Sequence, residues 1–218
     1  MDDQTNRLVN NRYRLLRLLG EGGMAQVWLA QDESLERQVA LKRLRPLFAQ
    51  DASLLARFRR EAQTVARLNS PYIVQIYDVG VNEQDSFIVM EYVDGQDLKK
   101  LLKLKAPLSA DETLEWMRAL TTGVATAHEA GLIHRDLKPA NILISKRGQI
   151  KISDFGIARD LTKAGMTQPG TIWGTSDYMA PEQAMGESPA PTMDVYSLGV
   201  MMFEMLSGKR PYTGRDAV

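Results

Sequence analysis

Eight consecutive residues near the middle of the chain decide how the sequence is interpreted: His134-Arg135-Asp136-Leu137-Lys138-Pro139-Ala140-Asn141. The side chains of Asp136, Lys138 and Asn141 can converge only if the chain between them is a loop, which Pro139 favours. Together they match the needs of phosphoryl transfer to a hydroxyl group. Asp136 would orient the hydroxyl and accept its proton, and Lys138 would offset charge on the moving phosphoryl group. Asn141 would offer a neutral oxygen to Mg²⁺.

His134 opens this stretch and has two interpretations. A metal-binding or catalytic-triad role is the first, but the other histidine of the chain, His128, lies on the preceding predicted helix and there is no cysteine. The second interpretation, a structural histidine, is the one that we prefer.

Asp154-Phe155-Gly156 follows a predicted strand and supplies a second oxygen ligand for Mg²⁺, the Asp154 carboxylate. Such a tripeptide alone has little meaning. After the stretch at 134–141, in this order, it supports the same chemistry.

A glycine-rich turn lies near the N-terminus, at Gly20-Glu21-Gly22-Gly23-Met24-Ala25. Glycine permits backbone N–H groups to approach a phosphate because no Cβ blocks the way. The turn also fits the dinucleotide-binding fingerprint, which requires a following helix and an acidic residue about 20 positions on. Here a strand-like segment, Val27-Trp28-Leu29-Ala30, follows instead, and Lys42 stands near the acidic position. The pattern therefore favours a strand–turn–strand flap over phosphates.

Glu61 lies on the apolar face of a helix that helical spacing predicts over 53–68, with Leu54, Phe58, Ala62 and Val65 on that face. A carboxylate there requires a buried basic partner. Lys42 ends the apolar strand Val39-Ala40-Leu41-Lys42 and is the candidate. Held by Glu61, Lys42 would bind the α- and β-phosphates of a nucleotide.

The predicted elements change character near Tyr92-Val93-Asp94-Gly95. Before this point short apolar segments predict an antiparallel sheet, and after it the chain is mainly helical. The predicted strands are 13–19, 26–30, 38–44, 73–79 and 86–92, followed by strands at 142–144 and 150–152. A capping box at 109–112 begins a helix that ends near Gly131, and 194–206 is a helix ended by Gly208. The fold class is α+β.

Composition excludes several function classes. Lys+Arg and Asp+Glu both number 27, so the chain has no net positive charge that would favour binding to nucleic acid. The absence of cysteine excludes a disulfide framework and fits a reducing compartment. There is neither a signal peptide nor an apolar run near 18 residues, so we expect no membrane segment and a cytoplasmic location. A membrane anchor beyond residue 218 in a longer form is left open.

With these motifs in order, the chain resembles the eukaryotic-type (Hanks-type) protein kinases. The residues within and around the motifs resemble those of bacterial members. Ala180-Pro181-Glu182 matches the family's A-P-E motif, and Asp194-Val195-Tyr196-Ser197-Leu198-Gly199 matches the start of its central helix. The resemblance implies a two-lobed fold, with a tail at 1–12, an N-lobe of antiparallel sheet plus one helix at 13–93, and a mainly helical C-lobe at 94–218.

The resemblance also implies ATP and Mg²⁺ as cofactors. Asp136, Lys138, Lys42 and Glu61 take the catalytic positions, and Asn141 and Asp154 take the metal positions. The implied nucleotide contacts are the flap, the adenine pocket with its gatekeeper Met90, and the hinge backbone: Leu19, Gly20, Glu21, Gly22, Gly23, Met24, Ala25, Gln26, Val27, Ala40, Lys42, Met90, Glu91, Val93 and Leu143.

The serine/threonine branch of the family is suggested by Lys138, two residues after Asp136, and by Thr175 before the A-P-E motif. The implied partners are therefore proteins with serine or threonine hydroxyls. The resemblance to bacterial members also suggests phosphothreonine-binding proteins as partners. In kinases of this pattern Arg135 meets a phosphate on the activation loop, and Thr171 or Thr167 occupies the modified position. Solvent-exposed threonines without a role are the alternative.

The chain departs from the family pattern at its end, because family domains continue through further helices after the central one. We therefore expect an incomplete C-lobe, a Glu182 that is unpaired or served by another group, and an uncovered apolar surface over 195–206 that favours self-association. The alternative functions are a nucleotide-binding pseudokinase or inactive fragment, and a small-molecule phosphotransferase. Such phosphotransferases generally lack the A-P-E region.

Overall fold

The computed structural model describes residues 4–49, 51–81, 85–155 and 176–212. The chain divides into two compact units. Unit 1 comprises Met1–Arg67 with Val74–Val93, and unit 2 comprises Leu68–Ile73 with Asp94–Val218. Each unit has its own sheet and at least one helix packed against it.

Unit 1 contains an antiparallel sheet in the strand order β1-β2-β3-β4-β6-β5. Its strands are β1 (Leu8–Val9), β2 (Tyr13–Glu21), β3 (Ala25–Asp32), β4 (Arg37–Leu44), β5 (Ile76–Val81) and β6 (Ser86–Glu91). The predicted tail at 1–12 thus contributes a strand, since Val9 pairs with Tyr13 and is fully buried.

One face of this sheet forms a hydrophobic core because apolar residues alternate along its strands. Its fully buried members come from five strands: Val9, Tyr13, Leu15, Trp28, Ala30, Val39, Leu41, Phe87 and Val89. The rings of Tyr13 and Phe87 meet edge to face at 5.8 Å between centroids, an arrangement that aromatic pairs prefer.

Helix α1 (Ala52–Ala66) packs against β5, and its boundaries follow from its sequence. The Asp51 side chain accepts hydrogen bonds from the backbone N–H groups of Ser53 and Leu54, which caps the helix N-terminus. The four residues predicted for its apolar face are all buried: Leu54, Phe58, Ala62 and Val65.

Unit 2 is mainly helical and carries a small sheet in the order β7-β8-β9. Its strands are β7 (Gly95–Asp97), β8 (Ile142–Ser145) and β9 (Ile150–Ile152), and its helices are α2 (Leu98–Lys105), α3 (Ala110–Glu129), α4 (Pro181–Ala184) and α5 (Pro191–Ser207). Ile73 forms a parallel bridge with Ile152. The strand predicted from residue 73 therefore begins only at Ile76, because Ile73 already pairs within unit 2.

Helix α5 packs against α3 and ends at Gly208, whose φ of 71° is the left-handed value expected at a helix C-terminus. Met193, Met201 and Met205 are buried on its inner side. Val195, Phe203 and Leu206 are exposed, in agreement with the expected apolar surface. In the described part of the chain, no helix has the length and hydropathy needed to cross a membrane.

Candidate active site

The stretch at 134–141 is a loop between α3 and β8, as the sequence predicts. It ends in a short 3-10 helix, Pro139–Asn141, which begins with the proline that favours this turn. Leu137, in the middle of the loop, is fully buried and fixes the loop to the protein interior. The polar side chains on either side of it are therefore carried by an anchored backbone.

Asp194, near the start of α5, is the main anchor of this loop. Its carboxylate is completely buried and accepts three hydrogen bonds, each of 2.8 Å, from the backbone N–H groups of His134 and Arg135 and from Nε2 of His128. Arg135 has a φ of 63°, a left-handed conformation in which successive N–H groups can converge on one anion. The buried charge is thus fully engaged, and it holds the loop to α5.

His134 is a structural residue, which confirms the second interpretation of its role. Its Nδ1 accepts from the Asp136 N–H at 3.2 Å, so Nε2 carries the proton and donates to the Ser153 carbonyl at 3.0 Å. Burial lowers the pKa of His134, although Asp194, the bond to Ser153, Asp136 and Asp154 act in the opposite direction. The ring also contacts Phe155, with centroids 4.6 Å apart.

The three polar side chains of the loop converge as the sequence predicts. Lys138 Nζ donates to Asp136 Oδ2 at 2.7 Å, and Asn141 Nδ2 donates to the same oxygen at 3.1 Å. Asn141 Nδ2 also donates to the Asp136 carbonyl at 2.8 Å. Asp136 and Lys138 are both about one-quarter exposed, so the pair is held rigidly yet open to an incoming group.

Asn141 and Asp154 lie at the same end of the β8–β9 hairpin. Ile142 pairs with Ile152, and the Asn141 carbonyl accepts from both the N–H and the Oγ of Ser153, the residue before Asp154. Both partners of Asn141 Nδ2 are acceptors, so the amide oxygen points away from them. An amide oxygen and a carboxylate, the groups that Asn141 and Asp154 carry, are ligand types that suit a hard cation such as Mg²⁺.

Few side chains at this site could bind a metal ion. Among the residues that the structure describes, no group of three or more His, Cys, Asp or Glu is arranged to hold a metal ion. A site of this kind fits Mg²⁺, which is usually bound through one or two carboxylates together with substrate phosphates.

Unit 1 brings most of the predicted nucleotide contacts to one sheet. Leu19, Gly20 and Glu21 end β2, a turn follows, and Ala25, Gln26 and Val27 begin β3. The segment after the glycines is therefore a strand, which excludes the dinucleotide-binding fingerprint. Glu91, the predicted hinge residue, ends β6, where its N–H donates to the Gln75 carbonyl at 2.8 Å, and Val93 lies two residues later.

Four predicted contacts share one face of this sheet. Val27 lies opposite Lys42, and Ala40, two residues before Lys42, lies opposite Met90. Because side chains alternate along a strand, Val27, Ala40, Lys42 and Met90 all point away from the buried core around Trp28. This face combines apolar side chains with one cation.

Some predicted residues are not covered by this description. The side chain of Glu61, which lies in α1, is outside the described residues, so its pairing with Lys42 stays a prediction. Gly156, Thr167, Thr171 and Thr175 also lie outside them. Leu143 is in β8 of unit 2. Glu182 accepts from Thr192 Oγ1 at 3.5 Å, so another group does serve this carboxylate, weakly.

Comparison with known proteins now decides the family. The profile of the protein kinase domain matches residues 13–217. The chain belongs to the protein kinase family. Serine/threonine-protein kinase PknA of Mycobacterium tuberculosis H37Rv is 44% identical over 223 residues, which are 100% of this chain and 52% of that protein. Serine/threonine-protein kinase PrkC of Bacillus subtilis 168 is 44% identical over 210 residues, 96% of this chain and 32% of that protein.

Solved kinase structures have the same fold. The crystal structure of the M. tuberculosis PknI kinase domain has a TM-score of 0.77 and 31% sequence identity, and the match covers 98% of this chain and 81% of that one. The chain spans about half the length of the PknA kinase it matches. Membership of the protein kinase family implies ATP as the phosphoryl donor and, typically, a divalent metal ion.

Part of the support beneath this site was not predicted from the sequence. Asp194 and His128 were not predicted as anchors, nor was Gln183, whose Nε2 donates to the Arg135 carbonyl at 2.8 Å. The signal for Asp194 was present, since a carboxylate in an apolar helix needs partners, as argued for Glu61. For Gln183 no local signal exists.

The A-P-E region is attached to α5 by a second network, which is partly buried. Tyr178 Oη donates to Glu204 Oε2 at 2.5 Å, and the Tyr178 carbonyl accepts from Ser197 Oγ at 2.7 Å. Burial, followed by the bond to Glu204, raises the pKa of Tyr178. Asp177 forms an ion pair with Arg210. Helix α5 therefore supports both the loop at 134–141 and the segment that precedes α4.

Proposed function

We propose that this chain is the catalytic part of a protein serine/threonine kinase that transfers the γ-phosphoryl group of ATP to protein hydroxyls with Mg²⁺. The observation that carries the proposal is the Asp136 carboxylate, held by Lys138 and Asn141 in a loop anchored on buried Asp194. The names of the PknA and PrkC relatives support the serine/threonine class.

In the reaction, the Asp136 carboxylate orients the substrate hydroxyl and accepts its proton as the oxygen attacks the γ-phosphorus. The new bond joins that oxygen to phosphorus, and the bond to the β–γ bridging oxygen breaks, which releases ADP. Lys138 is one cation beside Asp136, and we propose that it offsets negative charge on the transferred group. Bound Mg²⁺ would neutralise phosphate charge, and Asn141 and Asp154 are the residues proposed to hold it.

Unit 1 is proposed to hold the nucleotide itself. The glycine-rich turn would present backbone N–H groups to phosphates, and Lys42 would bind the α- and β-phosphates. Val27, Ala40 and Met90 supply an apolar surface on the same face as Lys42, which suits an adenine ring. Leu19, Gln26, Glu91 and Val93 complete the contacts proposed for unit 1, and Leu143, a residue of unit 2, stays a prediction from the family resemblance.

We further propose that the kinase is regulated by autophosphorylation at Thr171 or Thr167. Arg135 would meet the resulting phosphate, because guanidinium groups bind phosphate through paired hydrogen bonds. Proteins that recognise phosphothreonine are the partners that such a modification would recruit. Mass spectrometry after incubation with Mg-ATP tests this step, and finding no phosphate between 156 and 180 would rule it out.

The proposed activity is tested by transfer of labelled phosphate from ATP to a basic protein. We expect phosphoserine or phosphothreonine in the product, and Asp136→Asn should lower the rate by about a thousandfold or more, since removal of a catalytic base leaves only binding effects. Asp111→Asn, an exposed carboxylate on α3, is the matched control and should keep the wild-type rate. Nucleotide binding without transfer by the wild-type chain would instead identify a pseudokinase.

A further inference from the structure

The turn at 21–25 makes few regular backbone contacts of its own. The Gly22 N–H donates to the Ala25 carbonyl at 2.9 Å, which closes the turn between β2 and β3. Glu21, Gly22 and Gly23 are exposed, and glycine restricts the backbone less than any other residue. The conformation of this turn must therefore depend on groups that reach it from elsewhere in unit 1.

Arg45, one residue beyond the end of β4, reaches the turn at three points. Its backbone N–H donates to the Met24 carbonyl at 2.9 Å, and its Nε donates to the Gly22 carbonyl at 3.2 Å. Its Nη2 donates to Glu21 Oε1 at 2.7 Å. Guanidinium is well suited to this arrangement because its donors lie in one plane and diverge at fixed angles.

Glu21 makes the position of Arg45 important for a phosphate-binding turn. An uncompensated carboxylate beside a triphosphate would repel it. Besides Arg45, Gln26 Nε2 donates to the same Glu21 oxygen at 3.1 Å, so the carboxylate is held between two donors. The contacts thus fix the backbone of the turn and at the same time offset its negative charge.

We propose that Arg45 is a positioning residue for nucleotide binding: it holds the glycine-rich turn in its phosphate-binding conformation through Gly22 and neutralises Glu21. The proposal rests on the function proposed above for this turn. Arg45 lies three residues after Lys42, so the chain segment that carries the proposed phosphate-binding lysine also contacts the turn. Arg45 itself does not have to contact the nucleotide.

Unit 1 offers a closely matched control for the energetic cost of losing an exposed ion pair. Arg45 and Glu21 are 42% and 46% exposed, and Arg14 and Glu33 form a pair with 41% and 39% exposure and an N–O distance of 2.6 Å. Exposed pairs of this kind contribute little to global stability. Arg14→Ala should therefore reproduce the loss of a surface pair without any effect on the turn.

Hydrogen exchange in the nucleotide-free chain is the first test, because it does not depend on activity. In Arg45→Ala, amide exchange across 20–26 should rise by about threefold or more, since the turn loses two of its side-chain contacts. Arg45→Lys should give a smaller rise, because its single ammonium keeps the charge but cannot bind two acceptors in the same plane. Arg14→Ala should match the wild type. Equal exchange in Arg45→Ala and the wild type would overturn the proposal.

Steady-state kinetics is the second test. Arg45→Ala should raise KM for ATP by about threefold to tenfold and leave kcat within about twofold, a pattern that indicates weakened nucleotide binding and unchanged chemistry. Adding Glu21→Gln to Arg45→Ala should recover part of the increase, since the repelling charge is removed. An unchanged KM in Arg45→Ala contradicts the proposal. Inactivity of the wild-type chain would instead refute the proposed function, while the exchange result would still decide the role of Arg45.

Discussion

The loop at 134–141 and the glycine-rich turn at 21–25 both have proposed roles in phosphoryl transfer but are held in very different ways. The loop is anchored by the fully buried Asp194 carboxylate, which accepts three hydrogen bonds, and by the buried His134 ring. The turn is exposed, and the Arg45 side chain that holds it is itself 42% exposed. The comparison indicates that the proposed proton-accepting group is fixed in place, whereas the proposed phosphate-covering segment is left adjustable.

Physical chemistry explains why the two regions differ. A base must lie within hydrogen-bond reach of a single proton, and small errors in its position reduce the rate strongly. A segment that covers phosphates must let nucleotide enter and leave, so its contacts should be weak enough to break within each catalytic cycle. Buried hydrogen bonds hold a group in a fixed position, whereas exposed hydrogen bonds are weak enough to break and form again.

The largest expected difference between the two regions is in hydrogen exchange. The amides of His134 and Arg135, bonded to buried Asp194, should exchange only through large-scale unfolding of unit 2, whereas the Gly22 amide should exchange through local opening. We expect protection factors that differ by about a thousandfold or more. Mass-spectrometric or NMR exchange on the wild-type chain measures this directly. Comparable protection at Gly22 and Arg135 would show that the contrast is wrong.

The next largest effect should come from Asp194→Asn, which preserves shape but replaces one acceptor oxygen by a donor NH2 group. At least one buried N–H would then face another donor, at a cost of about 1–3 kcal/mol for each unsatisfied group. We expect a rate of phosphoryl transfer about a hundredfold lower, because the loop that carries Asp136 loses its anchor.

The matched control for this variant is Glu129→Gln, which makes the same carboxylate-to-amide change at an exposed position next to His128. It should leave both the rate and the free energy of unfolding near their wild-type values. If Asp194→Asn reduces stability but retains the full rate, Asp194 supports the fold and does not position Asp136.

Much of the fold and of the two compared regions could be predicted from the sequence. The glycine-rich turn, α1 and the convergence of Asp136, Lys138 and Asn141 were predicted, because each depends on local pattern or on residue types that one chemistry requires. Strand β7 and helix α2 were missed. Helix α2 buries only Leu98 and Leu102, which gives too little periodicity, although its cap, Asp97, accepting from the Lys100 N–H, was a usable signal.

The anchors beneath the site could be predicted only in part, because they depend on residues far apart in the chain. Asp194 contacts the loop some 60 positions earlier, and Gln183 reaches Arg135 from another element. The buried acidic group could be recognised from its apolar surroundings, but its partners are backbone N–H groups, which every sequence possesses. Their convergence depends on the left-handed Arg135, a tertiary feature.

The smallest of these effects is the pH dependence that His134 gives to the anchored loop. Its pKa is lowered in the folded chain, so below the unfolded value of about 6.5 the unfolded chain binds more protons than the folded one. The free energy of unfolding should therefore fall as pH drops from about 6.5, by at most about 1.4 kcal/mol per pH unit from this single group. Urea titrations between pH 7 and pH 5 measure the slope.

His134→Phe isolates this contribution, because a phenyl ring cannot titrate. The variant should be less stable than the wild type at pH 7, where the Asp136 N–H and the Ser153 carbonyl lose their partner, but its stability should depend less on pH. The chain has two histidines. If the wild-type slope persists in His134→Phe, His134 is not the group that takes up the proton. A flatter slope would show that the loop at 134–141, unlike the glycine-rich turn, is stabilised by keeping a neutral imidazole in its interior.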